Sequence, residues 1–188
     1  ITIGIFNVYK TEFEAALKRT TDLGLNQISP RYSDENLLTY ENIERIKQAF
    51  IVNFGAIKPD ILVAQCFNIH HQLVDLLSET LDKACLFTMG YIKYKGKNHF
   101  HETDERLKGI RAANQTPKTL NLHAWITLPS MEILDFTLPT SIAILSNHAV
   151  GVGDTRLGQP DSFTQDPSYH PLLIGDEFLE KIGVLKCN

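Results

Sequence analysis

The stretch "NLHAWITLPSMEILDFTL", residues 121–138, puts a histidine beside a tryptophan on one apparent strand and an aspartate on the next. A histidine within reach of a carboxylate is a general base with a fixed tautomer, but the pair cleaves nothing without a nucleophile. Cys66 is the best candidate for that role. It stands where an apolar, strand-like lead-in, "ILVAQ", meets a helix-like run. A helix N-terminus stabilises negative charge on sulfur, and its backbone N–H groups can face an oxyanion. Neither Cys85, inside the apolar strand "KACLFTMGYIKY", nor Cys187, one residue from the end, has such surroundings.

Side chains alternate along a strand, so His123, Trp125 and Thr127 share one face, and Leu122, Ala124, Ile126 and Leu128 share the other, expected to be the buried one. On the return strand Ile133, Asp135 and Thr137 go together. A three-residue loop of Pro129, Ser130 and Met131 would oppose Trp125 to Asp135 and make His123 and Asp135 diagonal neighbours, Cβ atoms about 7–8 Å apart. A two-residue loop would put them on opposite faces. Trp125 is expected to be a packing residue or the wall of a substrate cleft.

Cys66 opening a helix, a strand "ACLFTMGYI" about twenty residues on, then "HAWITL" and "EILDFT" as consecutive strands, resembles the transglutaminase-like core of the papain-like cysteine hydrolase and acyltransferase superfamily. "HAW", a hairpin and "D-x-T" form the most telling part, and the resemblance covers roughly residues 60–140. It implies an α+β, papain-like fold with an antiparallel sheet packed on the helix that carries the nucleophile. It further implies Cys66 as nucleophile, His123 as general base then acid, and Asp135 as the group that orients the imidazole. Members supply an oxyanion-hole side chain upstream of the cysteine. Gln65 is a suitable donor by type. The expected substrate is a protein, a peptide or a small amide, with no cofactor and no metal. Whether water or an amine receives the acyl group is not encoded in these three residues.

Elsewhere, "ITIGIF" reads as a strand and "KTEFEAALKRTTDLG" as an amphipathic helix stopped at Gly24. "SDENLLTYENIERIKQAF" reads as a second helix capped by Ser33 and Asp34. Residues 93–119 are polar, with a helical turn or two around Leu107 and Ile110, and read as a flexible insertion or a lid. The Gly/Pro-rich stretch from 151 to 171 reads as irregular surface loop. "GDEFLEKIG" closes as a helix with Asp176 as cap and Gly183 as terminator. One domain is expected over residues 1–188, with a catalytic core at about 60–140, an N-terminal helical part at 1–58, and a C-terminal loop and helix at 147–188. Helices come mostly first and strands mostly later, which also argues for α+β.

A net charge of -4 with scattered lysines and arginines argues against a nucleic-acid partner. No apolar run reaches the roughly 18 residues that span a bilayer. The start lacks the order of a signal peptide, and three sparse cysteines suit a reducing compartment. A cytoplasmic location is therefore expected, with a secreted effector as the alternative. The chain opens on Ile1 rather than Met, which leaves a preceding segment open, and oligomeric state is not legible.

Two rival classes stand beside the thiol enzyme. A catalytically inactive papain-like fold that binds proteins predicts Cys66 buried or beyond hydrogen-bond reach of His123. A metal-dependent hydrolase requires three of His70, His71, His99, His101, His123, His148 and His170 to converge. His70, one helical turn after Cys66, could share its helix face and perturb the thiol.

Overall fold

The computed structural model describes residues 8–55, 62–113, 115–147, 150–163 and 167–185. The expected strand at 1–6 lies outside them, as do Cys187 and His148. The chain is α+β and divides into two compact units, one built from Ile1–Ile28, Met89–Leu122 and Pro160–Asn188, the other from Ser29–Thr88 and His123–Gln159. The stretch expected as a catalytic core at 60–140 is therefore shared between them. Among the described residues no helix is long and apolar enough to cross a membrane.

In the first unit, helix α1 (Val8–Asp22) buries Tyr9, Phe13 and Ala16 and lies on a strand, Ser168–Ile174. Thr20 ties the two, its hydroxyl donating to the Ala16 carbonyl at 2.9 Å and accepting from the Ile174 amide at 2.9 Å. That strand emerges inside the Gly/Pro-rich stretch expected to be irregular. Alternation accounts for one buried face, Tyr169, Pro171 and Leu173, and from Pro171 to Ile174 every residue is buried. Strand β1 (Leu86–Tyr94) starts in the second unit and ends in this one, where it turns at Lys95 and Gly96, both at positive φ, into β2 (Lys97–His99). The supposed flexible insertion thus carries a strand and a helix among its described residues. Its helix α4 (Asp104–Ala113) buries Leu107 and Ile110.

In the second unit, helix α2 runs from Tyr40 to Phe54 and is capped by Thr39, which accepts from the Asn42 amide at 3.2 Å. Ser33 and Asp34 do not cap it. The chain from 33 to 38 is irregular instead, because a carboxylate distant in sequence captures its backbone. The buried Glu132 accepts from the Leu37 amide at 2.8 Å, from the Leu38 amide at 3.2 Å and from the Ser130 hydroxyl at 2.5 Å. Replacing Glu132 with alanine strands the buried Leu37 amide and is expected to cost about 1–3 kcal/mol, whereas the Leu38 amide keeps the Asn36 Oδ1 at 3.0 Å. Amide hydrogen exchange checks this: Leu37 loses its protection in Glu132→Ala, and unchanged protection would show that other groups hold the segment.

Helix α3 (Cys66–Leu81) buries Ile69, His70, Leu73, Val74, Leu77 and Leu81, a stripe at helical spacing, and packs on β3 (His123–Thr127) and α2. Its lead-in is not a strand. Leu62 is helical, and the chain turns at Val63 and Ala64, with Ala64 in the left-handed region at φ 59°. From β3 the chain passes through Pro129, Ser130 and Met131 to β4 (Ile133–Asp135), with Ile126 opposite Leu134 and Thr127 opposite Ile133. This is the register of the three-residue loop. β5 (Arg156–Gly158) pairs antiparallel with β4, and α5 (Leu138–Leu145) follows β4. The expectation of one buried face on β3 is corrected, since all five residues are buried. Its polar side chains are buried with partners, the Thr127 hydroxyl on that of Thr88 at 2.7 Å and His123 on Asp135.

Candidate active site

Cys66, His123 and Asp135 all lie in the second unit, on the start of α3, the start of β3 and the end of β4. The register makes His123 and Asp135 diagonal neighbours. The His123 Nε2 bonds the Asp135 Oδ2 at 2.7 Å, with both side chains almost wholly out of solvent. The Cys66 thiol is a further hydrogen-bond partner of the same imidazole. With Nε2 committed to the carboxylate, Nδ1 is the nitrogen left for sulfur. Cys66 itself is half-buried rather than sealed.

Asp135 is held from its other side. Its Oδ1 accepts from the backbone amides of Thr137 at 2.9 Å and Leu138 at 3.0 Å, and from the Thr137 hydroxyl at 3.2 Å. Burial alone would push its carboxyl up, but the charge and hydrogen bond of His123, with the Thr137 amide behind them, hold it far below the usual carboxylate range. For His123 burial pushes down, and the Asp135 charge and hydrogen bond, joined by Cys66, push up to about 10. The two shifts agree in direction, and both favour an imidazolium on a carboxylate at neutral pH. Cys85 makes the contrast, since burial, opposed by the Ser78 hydroxyl, pushes its thiol up to about 11.

Gln65 sits at the N-cap of α3, but its side chain does not cap the helix, so the first-turn amides are not taken by it. Its Oε1 accepts from the Asn68 Nδ2 at 2.7 Å, which leaves Nε2 as the donor end of the amide. Trp125 has no exposed surface and stacks on His123, ring centroids 6.1 Å apart. It packs behind the imidazole and does not form a cleft wall. His70 was legible only as a neighbour of Cys66 in helical spacing. It proves to be fully buried, with Nδ1 on the Cys66 carbonyl at 2.8 Å and Nε2 accepting from the Phe136 amide at 3.1 Å.

The remaining described histidines are dispersed. His71 packs on Phe87, His99 on Tyr94 and His101 on Tyr91, while His170 bonds Glu12 at 2.9 Å. Among the described residues no three histidine, cysteine, aspartate or glutamate side chains converge as metal ligands. What the Cys66, His123 and Asp135 arrangement can do chemically is activate a thiol next to a fixed base whose tautomer is set by a carboxylate. No family profile, curated protein or solved structure matches the chain.

Proposed function

We propose that this protein is a cysteine-dependent acyl-transfer enzyme whose second unit works as a papain-like, transglutaminase-like core. The observation that carries the reading is the single imidazole of His123 held between the Asp135 carboxylate and the Cys66 thiol at the start of a helix. In the proposed cycle the Cys66 thiolate attacks a carbonyl carbon and forms the C–S bond. The tetrahedral oxyanion takes hydrogen bonds from first-turn amides of α3, with Gln65 Nε2 as the side-chain candidate. As the C–N bond breaks, His123 gives its Nδ1 proton to the leaving amine. Water or a second amine then attacks the thioester, and His123 takes up the proton that this acceptor loses. Asp135 keeps its charge throughout and holds the ring in place. The substrate class is an amide in a protein, a peptide or a small molecule.

An inactive binding module of the same fold needs the thiol out of reach of the imidazole, and the proximity of Cys66 to His123 favours the enzyme instead. The test is capture of the acyl-enzyme. Incubated with p-nitrophenyl acetate, the protein is expected to release about one equivalent of nitrophenolate in a burst and to carry one acetyl group on the Cys66 peptide. Cys66→Ala is expected to show neither. Acetylation spread over lysines and unchanged in Cys66→Ala would overturn the reading.

A further inference from the structure

We infer that His70 is a positioning residue of this site, a neutral imidazole that ties the nucleophile-bearing first turn of α3 to the strand end carrying Asp135; the inference rests on the reading of Cys66, His123 and Asp135 given above. Its two nitrogens are both engaged and their roles are forced. The Phe136 amide can only donate, so Nε2 must be the acceptor, and Nδ1 therefore carries the proton donated to the Cys66 carbonyl. One ring thus clamps the residue that carries the thiol to the residue after Asp135. Neither partner is an ordinary helix or ladder bond, and a shift of either would alter the distance from sulfur to His123.

The clamp works only while His70 is neutral. A second proton would sit on Nε2, against the Phe136 N–H, and would place a cation 3.7 Å from the Asp135 Oδ1, in competition with His123 for the carboxylate. The ionisable groups facing His70 are Asp135 from β4 and His123 from β3, while on its own helix it meets the Cys66 backbone carbonyl. Burial, opposed by the Asp135 charge and aided by that of His123, pushes its pKa down to about 4, so the ring stays neutral where the site would operate.

The test reads the iodoacetamide alkylation rate of Cys66 by peptide mass in wild type, His70→Ala, His70→Gln and His123→Ala. His70→Ala removes both bonds and is expected to slow Cys66 at least tenfold at pH 7. Glutamine offers one donor and one acceptor without titrating, and is expected to stay within about threefold of wild type at pH 7. The ratio of the His70→Gln rate to the wild-type rate then rises about twofold by pH 4, where half of the wild-type His70 rings are protonated. If His70→Ala does not fold, this ratio decides alone. A ratio flat with pH, or a folded His70→Ala as fast as wild type, overturns the inference. A rate that His123→Ala leaves unchanged overturns the triad reading and the inference with it, whereas slowing by His123→Ala alone overturns only the role of His70.

Discussion

Replacing Asp135 with alanine is expected to lower the stability of the fold by about 4 kcal/mol or more, which approaches the whole stability of many domains. Removing one partner of a buried ion pair leaves the other uncompensated, here an imidazole whose protonated form depends on that carboxylate. The same substitution strands the Thr137 and Leu138 amides, each adding about 1–3 kcal/mol if unsatisfied. Asp135→Asn keeps an acceptor for these amides and is expected to cost less. It also changes the pH profile. His123 is raised from 6.5 to about 10 in the fold, so its contribution is fully present below pH 6.5 and lost as pH rises toward 10. Asp135 is depressed, so its contribution is present above its unfolded pKa near 3.8 and lost at lower pH. His70 is lowered from 6.5 to about 4, so stability declines as pH falls through that window. Wild type is therefore expected to be most stable near pH 6.5. Urea midpoints at pH 5, 6.5 and 9 check this. In Asp135→Asn the decline between 6.5 and 9 flattens, and an unchanged alkaline decline would show that the ion pair is not its source.

The second large effect is on reactivity. Cys66→Ala removes the nucleophile, but His123→Ala is the more informative change, because it leaves the thiol in place on α3. A positive imidazolium beside a sulfur favours the thiolate, the reactive species, and a positioned base contributes about 10²–10⁴-fold to such steps. His123→Ala is therefore expected to slow alkylation of Cys66 at pH 6.5 about a hundredfold. Cys85, buried before β1 with its thiol pushed up to about 11, has no such neighbour and is expected to be slow in both proteins.

Part of this geometry was legible, since the sequence allowed a two- or a three-residue loop and only the latter brings His123 and Asp135 to one face. Three residues between Leu128 and Glu132 are enough to oppose Trp125 to Asp135, and the register then brings His123 diagonally to the carboxylate. The start of α3 was legible from the change of character at Cys66. The features that escaped depend on partners distant in sequence. Ser33 and Asp34 look like helix caps, but Glu132 captures the adjacent backbone amides and delays α2 to Tyr40. Alternation marked one face of β3 as solvated, whereas Thr127 meets the Thr88 hydroxyl in the interior. The strand at 168–174 was hidden by the glycines and prolines before it, although it packs on α1 at the other end of the chain. For His70, helical spacing showed the face but not the Phe136 amide that fixes its tautomer.

The central claim is that Cys66 and His123 act as one unit, and the most direct measurement is the rate of iodoacetamide alkylation at each cysteine between pH 5 and 9, read by peptide mass in wild type and in His123→Ala. The account predicts rapid modification of Cys66 well below pH 8 in wild type, slow modification of Cys85, and a Cys66 rate about a hundredfold lower at pH 6.5 once His123 is gone. A Cys66 that reacts no faster than an ordinary thiol, or whose rate ignores the loss of His123, would contradict it and return His123 and Asp135 to the role of a buried structural pair.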